Sequence, residues 1–145
     1  MPARSSLLRA GLAVLALVQG AIAVWALLAP RSFHEEFPGP GSPWVAPLGP
    51  YDEHLVRDVG ALSLALTVVL VAALVWLERR LVIVAAAAYL AWELPHLAFH
   101  LTADDALTTG ARVLSEAAQV LAVAIAVAVL VGALRTRAPG RGYSS

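Results

Sequence analysis

Tyr89, Glu93, His96 and His100 interrupt an apolar run from Leu81 to Leu101, and their spacing of 4, 3 and 4 sets all four on one helix face. Ionisable groups at membrane depth are costly to hold, so such a stripe is by default a functional-site hypothesis. Three chemistries suit these residue types. His96 and His100, one turn apart, present two imidazoles, and Glu93 or Glu116 adds a carboxylate oxygen, a donor set suited to Zn, Fe or Ni. Glu93-x-x-His96 is half of a di-iron bundle pattern, and the chain carries no second Glu-x-x-His. Haem would instead take axial ligands from two helices, such as His54 opposite His96 or His100. In the second chemistry Glu93 and His96 act as catalytic acid and base on an apolar substrate, as in an isomerase or oxidoreductase. In the third, the face binds a lipid, a quinone or another small apolar or amphiphilic molecule without turnover.

Two other apolar runs carry similar stripes. Arg112, Glu116 and Gln119 repeat the 4, 3 spacing, and His54, Arg57 and Asp58 open another run on one face. The cost of exposing charge to lipid favours faces that meet inside a bundle, where they would line one polar pocket with Tyr51 and Trp92 as further walls. Gln19, alone in the first run, could reach the same pocket. Pro95 lacks an N–H, which frees the Ala91 carbonyl and bends the helix beside Glu93. A competing reading is purely structural: Arg112 and Glu116 sit one turn apart and neutralise each other, as Asp58 would with an arginine, in an accessory membrane subunit.

The elements that must position these residues are membrane helices. Hydrophobic residues are 60% of the 145 positions and charged residues 14%, with mean hydropathy +0.78, which is too apolar for a soluble domain. The pattern predicts an all-α bundle of four transmembrane helices at about 9–29, 57–77, 81–101 and 112–134, forming one membrane domain over 1–135. A flexible cytoplasmic tail follows at 136–145. Arg4 and Arg9 ahead of Ala10 to Ala29 resemble a signal peptide with Ala21-Ile22-Ala23 as its cleavage site. The run is a full span long, however, and an uncleaved first helix is expected. The link Glu78-Arg79-Arg80 is short, so the second and third helices form an antiparallel hairpin. Arg4, Arg9, Arg79, Arg80, Arg135, Arg137 and Arg141 fall on one side and only Arg31, Arg57 and Arg112 on the other. The positive-inside rule then puts both termini in the cytoplasm of a bacterial cell and the pocket on the outer side.

The connection at about 30–56 holds six of the nine prolines, Pro30, Pro38, Pro40, Pro43, Pro47 and Pro50, and is expected to be non-helical. Trp44, Val45, Leu48 and Tyr51 make it too apolar for a solvated linker, so it is expected to be an ordered cap over the bundle mouth. Zero net charge argues against nucleic acid as a partner, and the lack of cysteine excludes disulfides and thiolate chemistry. Ala-rich helix faces permit a homo-oligomer.

The stretch Gly49-Pro50-Tyr51-Asp52-Glu53-His54-Leu55-Val56-Arg57-Asp58, with Glu93-Leu94-Pro95-His96 and His100 further on, resembles a family of small actinobacterial four-helix integral membrane proteins, itself loosely similar to DoxX-like proteins. The resemblance covers most of the chain and implies the four-span topology and a role for the loop residues. It implies no reaction.

Overall fold

The computed structural model describes residues 2–41, 43–103 and 106–135. The tail at 136–145 lies outside them. Within them the chain is all helical: α1 (Pro2–Leu28), α2 (Pro30–Glu36), a 3₁₀ turn (Ala46–Leu48), α3 (Glu53–Trp76), α4 (Arg79–Ala103) and α5 (Thr109–Leu134). Four segments are long and apolar enough to cross a bilayer: Ser5–Leu28, Glu53–Trp76, Arg79–Thr102 and Thr109–Leu134. The protein is an integral membrane protein built as a four-helix bundle.

Apolar runs make these helices, and local chemistry sets their ends. Asp52 caps α3 by accepting from the Leu55 N–H at 3.1 Å, and Thr108 caps α5 by accepting from the Ala111 N–H at 3.3 Å. Leu77 stops α3 in the left-handed region, at φ 48°, and α4 starts two residues later. Pro95 lies inside α4, which continues to Ala103. Pro30 occupies the first turn of α2, where its missing N–H costs nothing. The expectation of a non-helical connection is corrected on that point. The proline opens a helix, and Arg31 to Glu36 contain no further breaker. The span boundaries also shift, since α3 begins at Glu53, α4 at Arg79 and α5 at Thr109.

The long helices form an antiparallel ring in the order α1, α3, α4, α5, with α1 tightest against α3 and α4 tightest against α5. The start of α1, the end of α5 and the α3–α4 turn lie at one end, and the α1–α3 connection, the end of α4 and the start of α5 at the other, called here the loop end. Arginines at helix starts close the C-terminal ends of neighbouring antiparallel helices. Arg57 donates to the Leu27 carbonyl at 2.6 Å, Arg9 to Leu74 at 2.9 Å, and Arg79 to Ala133 and Leu134 at 3.1 and 3.3 Å. Each satisfies carbonyls that a helix end leaves without an internal partner.

The half of the bundle nearest the termini is a solid apolar core of Leu12, Leu15, Leu70, Ala73, Val82, Ala86, Ala126 and Val129. The outward faces are equally apolar: Leu17, Leu28 and Trp76 are 75%, 80% and 71% exposed, as lipid contact requires. Arg57→Ala is expected to lower stability by about 1 kcal/mol, the value of one partly exposed charged hydrogen bond, in thermal unfolding of the detergent-solubilised protein.

Candidate functional site

In the loop-end half the core gives way to a cavity of about 470 Å³, within the range of small-molecule sites. Its walls come from all four long helices. Its roof is the α1–α3 connection, through Phe33, His34, Phe37, Trp44, Val45 and Leu48. An aromatic cluster holds that roof in place: Phe33 and Phe37 lie 4.8 Å apart, Phe37 and Trp44 5.7 Å, and Trp25 and Phe33 5.9 Å between ring centroids. The Trp25 indole N–H donates to Ser32 Oγ at 3.1 Å, and the Trp44 backbone N–H to the Phe37 carbonyl at 2.7 Å.

The floor is a polar layer to which every long helix contributes one side chain. Gln19 lies nine residues before the loop end of α1, and Ser63, Glu93 and Gln119 lie ten residues from the loop ends of α3, α4 and α5. At the helical rise per residue all four therefore sit about 14–15 Å below those ends, close to the bilayer middle. All are buried, and all line the cavity. The Glu93 carboxylate accepts a hydrogen bond from the Tyr89 hydroxyl, and Gln119 Nε2 donates to Ser115 Oγ at 3.2 Å. Above the floor on α4, His96 stacks on Trp92 at 5.4 Å between centroids, and His100 meets His96 edge-on at 4.6 Å.

Among the described residues four buried polar atoms have no hydrogen-bond partner: Gln19 Nε2, Gln119 Oε1, His34 Nδ1 and Trp44 Nε1. All four belong to residues that line this one cavity. Gln19 is 2% exposed, His34 8% and Gln119 9%. His34 Nε2 lies 3.1 Å from the Gly49 carbonyl. A carbonyl only accepts, so Nε2 carries a proton, and in the neutral ring Nδ1 presents a lone pair. Leaving such groups unpaired costs roughly 1–3 kcal/mol each, and buried polar atoms are otherwise nearly always satisfied.

Of the residues singled out in the sequence, Tyr89, Trp92, Glu93, His96, His100 and Gln119 come together in this cavity. Gln19 reaches it from α1, and Trp44, Val45 and Leu48 of the connection roof it, whereas Tyr51, His54, Arg57, Asp58, Arg112 and Glu116 do not line it. His54 is exposed and pairs with Asp58 at 3.1 Å, so it does not face His96 or His100 as a haem ligand would. Arg57 pairs with Glu53 at 2.9 Å besides closing α1, and Arg112 pairs with Glu116 at 2.8 Å along the same helix. Tyr51 stands behind His34, ring to ring at 5.5 Å, with the Arg31 guanidinium 4.5 Å above its own ring. Burial and then the Glu53 carboxylate raise the Tyr51 phenol above its ordinary pKa. Among the described residues no three His, Asp or Glu side chains gather closely enough to hold a metal ion, and the set Glu93, His96 and His100 is no exception.

Sequence reasoning missed His34, Ser63 and Ser115. Ser63 could have been found by counting residues from the helix ends, and Ser115 by its place one turn from Gln119 on α5. The aromatic content of the connection signalled the cap that holds Trp44, but the place of His34 depends on how α2 packs within it. No protein-family model matches the chain, and no curated protein or solved structure matches it.

Proposed function

We propose that the protein binds a small, largely apolar or amphiphilic molecule in the loop-end cavity. The observation that carries this reading is the convergence of four unpartnered buried polar atoms, among the described residues, on one cavity whose remaining lining is mostly aliphatic and aromatic with Glu93, His96 and His100 on one side. Apart from a ligand or ordered water, nothing would offset their desolvation. The arginine bias supports both termini in the cytoplasm and a cavity opening outward, and the use of Arg without Lys beside Ala-, Val- and Leu-rich runs supports a bacterial plasma membrane. The resemblance to small actinobacterial membrane proteins agrees with that placement. Removing the ligand tests the reading. Exhaustive delipidation is expected to lower the unfolding midpoint by several degrees, and re-adding the extracted lipid fraction to restore it, because a ligand at a hundred times its Kd stabilises by about 2.7 kcal/mol. An unchanged midpoint on both steps contradicts it.

The Tyr89–Glu93 hydrogen bond inside the same cavity, one turn below His96, favours a second reading in which Glu93 and His96 move a proton on the bound molecule. On that reading Glu93→Gln keeps the ligand and loses turnover.

A further inference from the structure

The unpartnered atoms fall into two pairs at opposite ends of the cavity, and each pair contains one donor and one acceptor. At the floor the Gln19 amide offers a donor and the Gln119 carbonyl an acceptor. At the roof the Trp44 indole offers a donor and His34 Nδ1 an acceptor. With Gln119 Nε2 donating to Ser115 Oγ, Gln119 Oε1 is the open acceptor and Gln19 Nε2 the open donor; turning one amide end for end would reverse the sense of its open position. A group that both donates and accepts, as a hydroxyl does, would satisfy each pair. Between the pairs the walls are Ile22, Val56, Val59 and Trp92, which offer aliphatic and ring surfaces, with the His96 and His100 rings on the α4 side.

Resting on the reading of the cavity as a ligand site, we propose that its ligand is an elongated apolar molecule with a hydroxyl-type group at each end. One group is held at mid-membrane by Gln19 and Gln119, the other under the roof by His34 and Trp44. The floor lies about 14 Å below the helix ends from which the roof hangs, so the apolar body spans on the order of 10 Å once the side chains have reached inward. A molecule with one polar head leaves one pair unsatisfied, and a hydrocarbon leaves both.

The test uses the purified, delipidated full-length protein in mild detergent and a series of terminal diols from hexanediol to dodecanediol. Each diol is compared with its mono-alcohol at equal mole fraction in the micelle, and binding is read from the emission of Trp44 and Trp92 in the cavity wall. Apolar partition alone favours the mono-alcohol at every length. The expected result is the reverse at one or two adjacent lengths, where the diol binds about tenfold more tightly, and loss of that preference in both Gln19→Leu and Trp44→Phe. Mono-alcohols binding at least as tightly throughout would overturn the two-headed ligand while leaving the cavity a binding site. A diol preference that survives both substitutions would overturn it too, since the hydroxyls would then lie elsewhere. If no compound binds and delipidation leaves the unfolding midpoint unchanged, this proposal and the binding function fall together.

Discussion

Gln19→Leu is expected to make the ligand-free protein more stable by about 1–2 kcal/mol, and at the same time to abolish retention of the ligand. Gln19 is 2% exposed and its Nε2 has no partner, so the empty cavity bears the cost of a desolvated amide. Leucine is close to glutamine in volume and removes that cost without opening a void. The opposing signs make the experiment informative. A residue that merely packs would lose stability on replacement and leave binding alone, whereas a residue kept for a ligand gains stability and loses binding, the trade expected of a functional site. Thermal unfolding of the delipidated protein reads the first effect, and lipid extraction followed by mass analysis reads the second. Gln119→Leu is expected to act in the same direction but more weakly, because it also breaks the bond to Ser115 Oγ.

Gly60→Leu is expected to damage the bundle severely, costing about 3 kcal/mol or more. A Cβ added at Gly60 would stand 2.9 Å from Leu27 Cγ and 3.1 Å from Ala26 Cβ. Ala26 is fully buried, so that side of the contact has nowhere to move. The pair α1 and α3 is the most tightly packed in the ring, and small residues at such a crossing are what allow two membrane helices to approach. Loss of a monodisperse species in detergent, or a fall of the unfolding midpoint by many degrees, is the expected outcome. Gly110 is the control: a Cβ there meets nothing within 4 Å. Gly110→Ala in the first turn of α5 is expected to be neutral or to stabilise by about 0.5 kcal/mol.

The polar face of α4 was legible in the sequence because its spacing depends only on the helix itself. Wherever Arg79–Ala103 packs, Tyr89, Glu93, His96 and His100 share a face, and all four line the cavity. The same pattern on α3 and α5 misleads at the loop end. There His54 with Asp58 and Arg112 with Glu116 find partners one turn away on their own helix, and Arg57 reaches a neighbour's terminal carbonyl. Near a helix end a charged side chain has these local choices, and periodicity does not distinguish them from a pocket wall. The polar layer of Gln19, Ser63, Glu93 and Gln119 has a sequence signature of a different kind, equal distance from four helix ends. It appears only once those ends are placed, and three of its four members are uncharged. Reading the connection from its proline content hid α2, because a proline that would break a helix interior starts one at its first turn.

The most direct test is a native mass spectrum of the protein released from mild detergent, wild type beside the double variant Gln19→Leu, Gln119→Leu. A cavity of about 470 Å³ holds a molecule on the order of 300 Da. A stoichiometric adduct of that size on the wild type, and a bare mass for a folded double variant, is the predicted result. A bare wild type, or an adduct retained equally by both proteins, would contradict a ligand held by the polar floor of this cavity.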